Sequence, residues 1–351
     1  MPTGIEFLMD LNAKQSREFL GQQERRREYR SRHPTELGAL KCMDGRLHLP
    51  IATNTPLGII QPWRNIGGMF DTRWPIFNAS LAEWQRYGRC RNKRGLLFAT
   101  YHYSRSDNDS LGCAGHKHNL DQARSSALQL THQCRRVLAH PHYYTILVGF
   151  DTDWDCLVLA SEDGYDDLDM ADVGSDRDLI ANWLLRHHAD MPSDVVRDAT
   201  EVLVRNADRV QEIRCSGRTI EQLRHCESVI AVGRGYDWLH LPNKALIVGH
   251  FDPNYLKAVI VAGRIVWHNL LDGRIKAEDI VLMTSAPYSS PDDRPFKVDK
   301  VTGLHEEAAA AIRDHVSELW PYLRQVRSVV DIHTRRLEPL EVIQATARRV
   351  L

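Results

Sequence analysis

The sequence predicts an α/β protein in which two related halves each fold around a largely parallel β-sheet flanked by helices. Short apolar, β-rich runs alternate along the chain with amphipathic helical patterns, which is typical of parallel strands joined by helical crossovers. The 351 residues exceed what one hydrophobic core usually holds, so we expect two domains. A short internal similarity indicates that the second half is a copy of the first.

The chain begins with a charged segment that is rich in helix formers. Residues 14–32 have few apolar positions and predict a peripheral helix, which Pro34 ends. The run from Leu37 to Cys42 is short and apolar, as a buried strand is. We therefore assign residues 1–35 to an N-terminal helical arm.

Further patterns continue the alternation through the first half. They predict buried strands at 95–102, 143–150 and 156–160, and helices at 119–139, 178–188 and 193–214. The acidic stretch 161–178 suits a solvated loop. A new apolar block begins at Val229, so we expect a first domain at 36–211 and a second at 212–351.

An internal similarity links the two predicted domains. Residues 37–50 align with 229–242, and both segments end in Leu-His-Leu-Pro. The residues aligned with Cys42, Asp44 and Arg46 are Arg234, Tyr236 and Trp238. The second copy therefore lacks the chemical groups of the first, and we expect it to be a degenerate structural domain.

Cys42, Asp44 and Arg46 stand at alternate positions immediately after the first predicted strand. In extended geometry such residues share one face, so a thiol, a carboxylate and a guanidinium can project into one site. A thiolate is a strong zinc ligand, and an aspartate beside an arginine is held ionised and oriented. The same spacing also fits a buried cysteine beside a surface ion pair.

Further site residues follow in a fixed order. Arg64-Asn-Ile-Gly-Gly68 comes next, then His102 at the end of a predicted strand, then Gly112-Cys113-Ala-Gly115 before a helix. In this combined order the sequence resembles the β-class carbonic anhydrases, whose pattern is C-x-D-x-R, then R-N-A-G or similar, then a ligand histidine and a ligand cysteine. The usual β-class spacing of the last two is H-x-x-C, whereas ten residues lie between His102 and Cys113. This longer spacing resembles the carboxysomal shell-associated members, which also carry a degenerate second copy of the catalytic domain.

The resemblance implies a β-carbonic-anhydrase-like fold and a zinc (Zn2+) enzyme that interconverts CO2 and bicarbonate. Cys42, His102 and Cys113 would ligate the zinc and leave the fourth tetrahedral position open to water. Zinc lowers the pKa of such a water to about 7, which generates a hydroxide that attacks CO2. Asp44 would accept the proton of this hydroxide and aim its lone pair, while Arg46 keeps Asp44 anionic.

Other ligands and sites are weaker candidates. His116 and His118 also stand at zinc-ligand spacing from Cys113, but His102 follows a strand and fits the family order. Asp151-Thr-Asp-Trp-Asp155 with Glu162 imitates a calcium loop that lacks its turn glycine. Gly233-Arg-Gly235 lacks the third glycine of a dinucleotide site, so we expect no organic cofactor.

Two other functions stay open on the same fold. One is a catalytically inactive scaffold, although the first copy retains every expected site residue. The other is a zinc lyase or hydrolase that acts on CS2 or COS, which only the shape of the pocket would decide.

Composition limits the partners and the location. The net charge of −1 gives no field for nucleic acid, and no run of about 20 apolar residues suits a membrane span. Seven scattered cysteines favour reduced thiols and a cytoplasmic protein. Carboxysomal members carry an N-terminal domain and a basic leader, whereas 41 residues precede Cys42 here, so we expect an enzyme that is either free or carboxysomal. Exposed sheet edges favour a homo-oligomer.

Overall fold

A computed structural model describes residues 4–138, 141–236, 238–239 and 243–343. The chain divides into two compact units. The N-terminal unit comprises Glu24–Cys42 and Arg46–Arg224, and the C-terminal unit comprises Met1–Gln23, Met43–Gly45 and His225–Leu351. Each unit contains its own mostly parallel sheet, which confirms the predicted α/β fold.

Helices flank both sheets and follow the predicted alternation. They are α1 (Gly4–Gly21), α2 (Gln23–Arg32), α3 (Leu49–Ala52), α4 (Pro75–Arg89), α5 (Asn108–Leu111), α6 (Leu120–Val137), α7 (Met170–Val173), α8 (Arg177–His187), α9 (Ser193–Ser216), α10 (Leu256–Leu271) and α11 (Arg294–His315). Short 3-10 helices lie at Ile66–Gly68, Ala114–His116, Ile220–Leu223, Ala277–Asp279 and Trp320–Tyr322. In the described residues no helix is long and apolar enough to cross a membrane.

The helix predicted at 14–32 is two helices in the structure, α1 and α2. They meet at Gln22, next to Gly21, and glycine is a poor helix former because its backbone loses the most entropy on ordering. The domain boundary predicted between residues 211 and 212 falls within α9. The chain passes from the N-terminal unit to the C-terminal unit after Arg224.

The described sheet of the N-terminal unit has six strands. They are β1 (Glu36–Cys42), β2 (Ile60–Asn65), β3 (Gly95–Tyr103), β4 (Tyr143–Asp151), β5 (Cys156–Leu159) and β6 (Leu168–Asp169), in the spatial order β2-β1-β3-β4-β5-β6. The first four run parallel, and β5 and β6 are antiparallel additions. β1, β3 and β4 are buried almost throughout, as expected of apolar strands covered by helices on both faces.

The described sheet of the C-terminal unit has five strands. They are β7 (Val229–Gly233), β8 (Ala245–Val248), β9 (Val281–Tyr288), β10 (Arg324–Asp331) and β11 (Leu337–Ile343), in the order β8-β7-β9-β10-β11. All neighbouring pairs are parallel except β10 with β11. This topology repeats β2-β1-β3-β4-β5, and α10 and α11 take the places of α4 and α6 between the strands. The second domain is therefore a copy of the first.

Strand register shows which residues correspond in the two copies. Leu37 pairs with Leu96 in one sheet, and its counterpart Val229 pairs with Val281 in the other. Counting onward along β3 and β9, His102 corresponds to Pro287. Since Arg234 stands where Cys42 does, the second copy lacks both a thiol and an imidazole at these positions, which confirms that it is degenerate. Of the aligned segment 229–242, residues 237 and 240–242 lie outside the described residues.

The first helix, α1, packs within the C-terminal unit. Ile5 and Leu8 join the core cluster of its sheet. Asn12 donates from Nδ2 to the carbonyl of Arg335 at 3.0 Å and accepts the backbone N–H of Leu337 at 2.7 Å. These contacts hold the start of the chain beside its last described strand.

His305 on α11 predicts a pH-dependent stability of the C-terminal unit. It is buried, with Nδ1 3.0 Å from the hydroxyl of Thr284 and Nε2 3.1 Å from Oε1 of Gln325, and burial lowers its pKa from 6.5 to about 4. A neutral ring satisfies both hydrogen bonds, because the hydroxyl donates to one nitrogen and the other nitrogen donates to the amide oxygen. The pKa of His305 is lower in the folded than in the unfolded chain. The unfolding free energy is therefore highest above pH 6.5 and falls by about 2–3 kcal/mol as the pH approaches 4.

We therefore expect His305→Gln to weaken this pH dependence. The loss of unfolding free energy between pH 7 and 4 should be about 2–3 kcal/mol smaller in the variant than in the wild type. Urea unfolding at a series of pH values measures it, with His315→Gln, an exposed histidine at the end of the same helix, as the control. Parallel pH curves for the wild type and His305→Gln would contradict the assignment.

Candidate metal centre

Cys42 and His102 lie at the same edge of the N-terminal sheet. Cys42 is the last residue of β1, and His102 is the last but one of the neighbouring strand β3. Because the two strands run parallel, their carboxyl ends reach the same edge, where sites form in open α/β sheets. Both side chains are buried.

Cys113 reaches this edge from the connection between β3 and α6. It precedes the 3-10 helix Ala114–His116, and its carbonyl accepts the backbone N–H groups of His116 at 3.0 Å and His118 at 2.9 Å. The Sγ atoms of Cys42 and Cys113 and a ring nitrogen of His102 all lie within 4.8 Å of one another. The structure thus brings together the three side chains that the sequence proposes as ligands.

The chemistry of these donors fits zinc. Tetrahedral zinc binds cysteine sulfur at about 2.3 Å and histidine nitrogen at about 2.0–2.1 Å, which places its donor atoms roughly 3.5–3.8 Å apart. Two thiols and one imidazole within 4.8 Å match that requirement, and a soft sulfur set selects zinc over magnesium or calcium.

The Arg64-Asn-Ile-Gly-Gly68 motif supports the ends of β1 and of the Cys113 segment. The buried guanidinium of Arg64 donates to the carbonyl of Cys42 at 3.2 Å and to that of Leu47 at 2.7 Å. Gly67 and Gly68 have φ angles of 62° and 66°, in the left-handed region that favours glycine. A Cβ atom on Gly68 would lie 3.0 Å from the carbonyl oxygen of Thr100, so this turn also needs the space that glycine leaves.

His116 belongs to this support. Its Nε2 lies 3.0 Å from the carbonyl oxygen of Gly67, and the neighbouring Gly115 sits directly against the backbone of Gly67. One of the two alternative ligands, His116, is therefore engaged in a hydrogen bond that joins the two turns, while the donor cluster contains His102.

Asp44 lies in a second cluster, in the C-terminal unit. Its carboxylate, His225 and Glu227 have donor atoms that all lie within 4.8 Å of one another. Nδ1 of His225 is 3.0 and 3.1 Å from the two oxygens of Glu227, and Asn269 donates to the carbonyl of Glu227 at 2.9 Å. Sequence reasoning missed His225 and Glu227, although they stand at alternate positions just before β7, as Cys42 and Asp44 do at the end of β1.

Arg46 is buried in the N-terminal unit, where it braces the Cys113 segment. It donates from Nη2 to the carbonyl of Leu111 at 2.8 Å and from Nη1 to that of Leu223 at 3.4 Å. Leu111 stands two residues before Cys113, so the guanidinium fixes the approach of this cysteine. The ion pair of Arg46 with Asp44 stays a prediction.

Comparison with known proteins identifies the family. The family described as Carboxysome Shell Carbonic Anhydrase, catalytic domain, matches residues 33–224. The chain belongs to this family. The carboxysome shell carbonic anhydrase of Halothiobacillus neapolitanus (strain ATCC 23641 / c2) is 30% identical over 135 residues, which are 33% of this chain and 25% of the relative. The chain thus matches a quarter of the length of that relative.

Membership in the carboxysome shell carbonic anhydrase family confirms the resemblance read from the motifs. The matched range contains β1 to β6 and the whole Cys42, His102 and Cys113 cluster. It ends at Arg224, where the N-terminal unit also ends. The second copy lies beyond it.

Proposed function

We propose that this protein is a zinc-dependent carbonic anhydrase that interconverts CO2 and bicarbonate. The observation that carries the proposal is the buried cluster of two thiols and one imidazole inside the range that matches the catalytic domain. Three protein ligands are the number found in catalytic zinc sites, which keep one position open. When bound, zinc supplies Lewis acidity that makes a water molecule acidic enough to act as a nucleophile near neutral pH.

The residues of the family pattern have separate tasks in this proposal. Cys42, His102 and Cys113 hold the ion, and their burial keeps bulk water away from the ligand bonds. Asp44 accepts a hydrogen bond from the nucleophile and orients its lone pair toward CO2. Arg46 holds the segment that carries Cys113 and, by the family pattern, keeps Asp44 ionised.

Asp44→Asn is expected to lose most turnover while it retains zinc. An amide in place of the carboxylate can donate where the reaction requires an acceptor, so kcat should fall by about 10²–10³-fold. Stopped-flow CO2 hydration and elemental zinc analysis measure the two effects, with Asp121→Asn, an exposed carboxylate on α6, as the control. Wild-type turnover in Asp44→Asn would remove Asp44 from the mechanism.

The proposal as a whole is tested by zinc content and CO2 hydration of the purified wild type. About one zinc per chain together with fast hydration supports it. Zinc without CO2 hydration would contradict it, and assays with CS2 and COS would then separate a related lyase or hydrolase from an inactive scaffold.

Location and assembly are further parts of the proposal. The family name supports residence in a carboxysome, and an enzyme free in the cytoplasm is the alternative. Cell fractionation with detection of the full chain distinguishes them.

We also propose that the protein forms a homo-oligomer, because exposed sheet edges favour pairing between copies. Light scattering of the purified protein measures its mass in solution.

A further inference from the structure

A loop of residues 104–112 separates His102 from Cys113. Each additional residue between two ligands adds conformational freedom, whereas a metal site needs its donors held to within about 0.5 Å. The fold must therefore fix this loop if Cys113 is to stand beside His102.

Asp153 contacts the start of the loop from the turn that follows β4. One of its carboxylate oxygens accepts the hydroxyl of Ser104 at 2.7 Å, and the other accepts the backbone N–H of Ser106 at 2.7 Å. Asp153 and Ser104 are both buried. Charged acceptors form shorter and stronger hydrogen bonds than neutral ones, especially where water is excluded.

Asp151 holds the residue between these two contacts. It is fully buried at the end of β4 and accepts both the backbone N–H and Nε of Arg105 at 3.2 Å. The same arginine donates to Asp169 at 2.7 Å. Burial, and to a smaller extent the negative charge of Asp153, raises the pKa of Asp151 to about 6. The hydrogen-bond donors of the loop therefore stabilise two neighbouring carboxylates that are both buried.

The anchored start of the loop is connected to Cys113 by further hydrogen bonds. The hydroxyl of Ser104 accepts the N–H of Asp107 at 3.1 Å, and Oδ1 of Asn108 lies 3.4 Å from the N–H of Ser104. Asn108 in turn accepts the N–H of Gly112 at its carbonyl at 2.9 Å and donates to the carbonyl of His118 at 2.6 Å. Cys113 stands between these last two contacts.

These contacts also explain the calcium-like motif. The carboxylates of Asp151 and Asp153 face N–H and O–H donors, which compete with a cation for the same oxygens. Glu162, the residue at the last ligand position of such a loop, pairs instead with His132 and Arg135 on α6. Asp151 and Asp153 therefore act as hydrogen-bond acceptors for the 104–112 loop.

The second copy shows which contacts of the turn after β4 are common to both domains and which occur only in the domain with the ligands. By strand register Asp331 corresponds to Asp151, and it accepts the N–H of His333, two residues on, at 2.9 Å. Asp151 likewise accepts the N–H of Asp153 at 3.1 Å. An aspartate that caps its own turn is thus common to both copies, whereas the carboxylate of Asp153 is replaced by His333 in the copy without the ligands.

We propose that Asp153, assisted by Asp151, is a positioning residue that holds the 104–112 loop so that Cys113 meets His102 and Cys42. This inference rests on the proposed zinc site. Losing the hydrogen-bonded partners that orient metal ligands typically weakens metal binding by about 10–100-fold. We expect that loss in Asp153→Ala, a partial recovery in Asp153→Asn, which keeps one acceptor oxygen, and a smaller loss in Ser104→Ala.

Zinc affinity measured by competition with a colorimetric chelator tests the proposal on the full chain. The absorption spectrum of the cobalt-substituted protein reports the ligand geometry independently of activity. Asp331→Ala is the control for the turn cap alone, because Asp331 corresponds to Asp151 and its loss removes the common cap in the copy without ligands. It should lower thermal stability without changing the zinc affinity.

The outcomes separate this inference from the proposed function. Weaker zinc binding and an altered cobalt spectrum in Asp153→Ala, with a wild-type spectrum in Asp331→Ala, support it. Wild-type zinc affinity in both Asp153→Ala and Ser104→Ala would overturn it and leave the carbonic anhydrase proposal intact. Absence of zinc binding by the wild type would overturn both.

Discussion

Replacing Cys42 with alanine is expected to abolish zinc binding and CO2 hydration, whereas replacing Cys134 with alanine should leave both unchanged. Cys42 ends β1, and its sulfur is one of three donor atoms within 4.8 Å of one another. Without it the ion keeps two protein ligands, fewer than the three of a catalytic zinc site. The zinc content should fall below about 0.1 per chain. The value of kcat/KM should fall by more than about 10³-fold, because the zinc ion that would activate the attacking water is lost.

Cys134 makes the comparison specific to the donor atom. It is a fully buried cysteine on α6 in the same unit, and burial raises its pKa to about 12, so it stays a neutral thiol. Both substitutions remove one buried sulfur and leave a small cavity of similar size. Thermal denaturation checks that both variants fold, while elemental analysis and stopped-flow hydration read the function. Equal zinc content in the two variants would contradict the ligand assignment.

The strands were predictable because their signal is local. The apolar runs that became β1, β3 and β4 carry their burial in their own composition, and the alternation with helices indicates parallel pairing. The packing of α1 was not predictable in this way. Its Asn12 bonds to Arg335 and Leu337, and no local pattern specifies a partner more than 300 residues away.

The candidate ligands were predictable because their order along the chain is a family pattern. Their supports were not, since a support is defined by what it touches. The sequence shows that Asp151 and Asp153 are acidic, which suggested a cation, but only the fold reveals that Ser104, Arg105 and Ser106 supply the donors. In the same way, His225 and Glu227 lie far from Asp44 in sequence and meet it only in the folded C-terminal unit.

Gly115→Ala is expected to weaken zinc binding by more than about 10-fold and to lower the unfolding free energy by about 1–3 kcal/mol. A Cβ atom at this position would lie 2.6 Å from the backbone nitrogen of Gly67 and 2.7 Å from its Cα. Both are backbone atoms, so no side-chain rotation relieves the overlap, and one of the two turns must move.

Neither turn can move without disturbing a ligand. Gly67 and Gly68 hold left-handed φ angles, and Gly68 already lies close to the carbonyl of Thr100 on β3. Displacing the other turn shifts Cys113, which stands two residues before Gly115 and caps the 3-10 helix that contains it. The clash is therefore transmitted to the sulfur of Cys113, and the distances to Cys42 and His102 change.

Gly303→Ala is the matched control, since nothing lies near the added Cβ atom on the exposed face of α11. Alanine is the better helix former, so this variant should gain up to about 1 kcal/mol and bind zinc as the wild type does. Chelator competition and urea unfolding measure the two quantities. If Gly115→Ala kept the wild-type zinc affinity, the contact between the two glycine turns would be a packing feature without influence on Cys113. A loss of both zinc affinity and stability in Gly115→Ala but not in Gly303→Ala would support the contact of the Gly67-Gly68 turn with Gly115 as the feature that fixes the distance between Cys42 and Cys113.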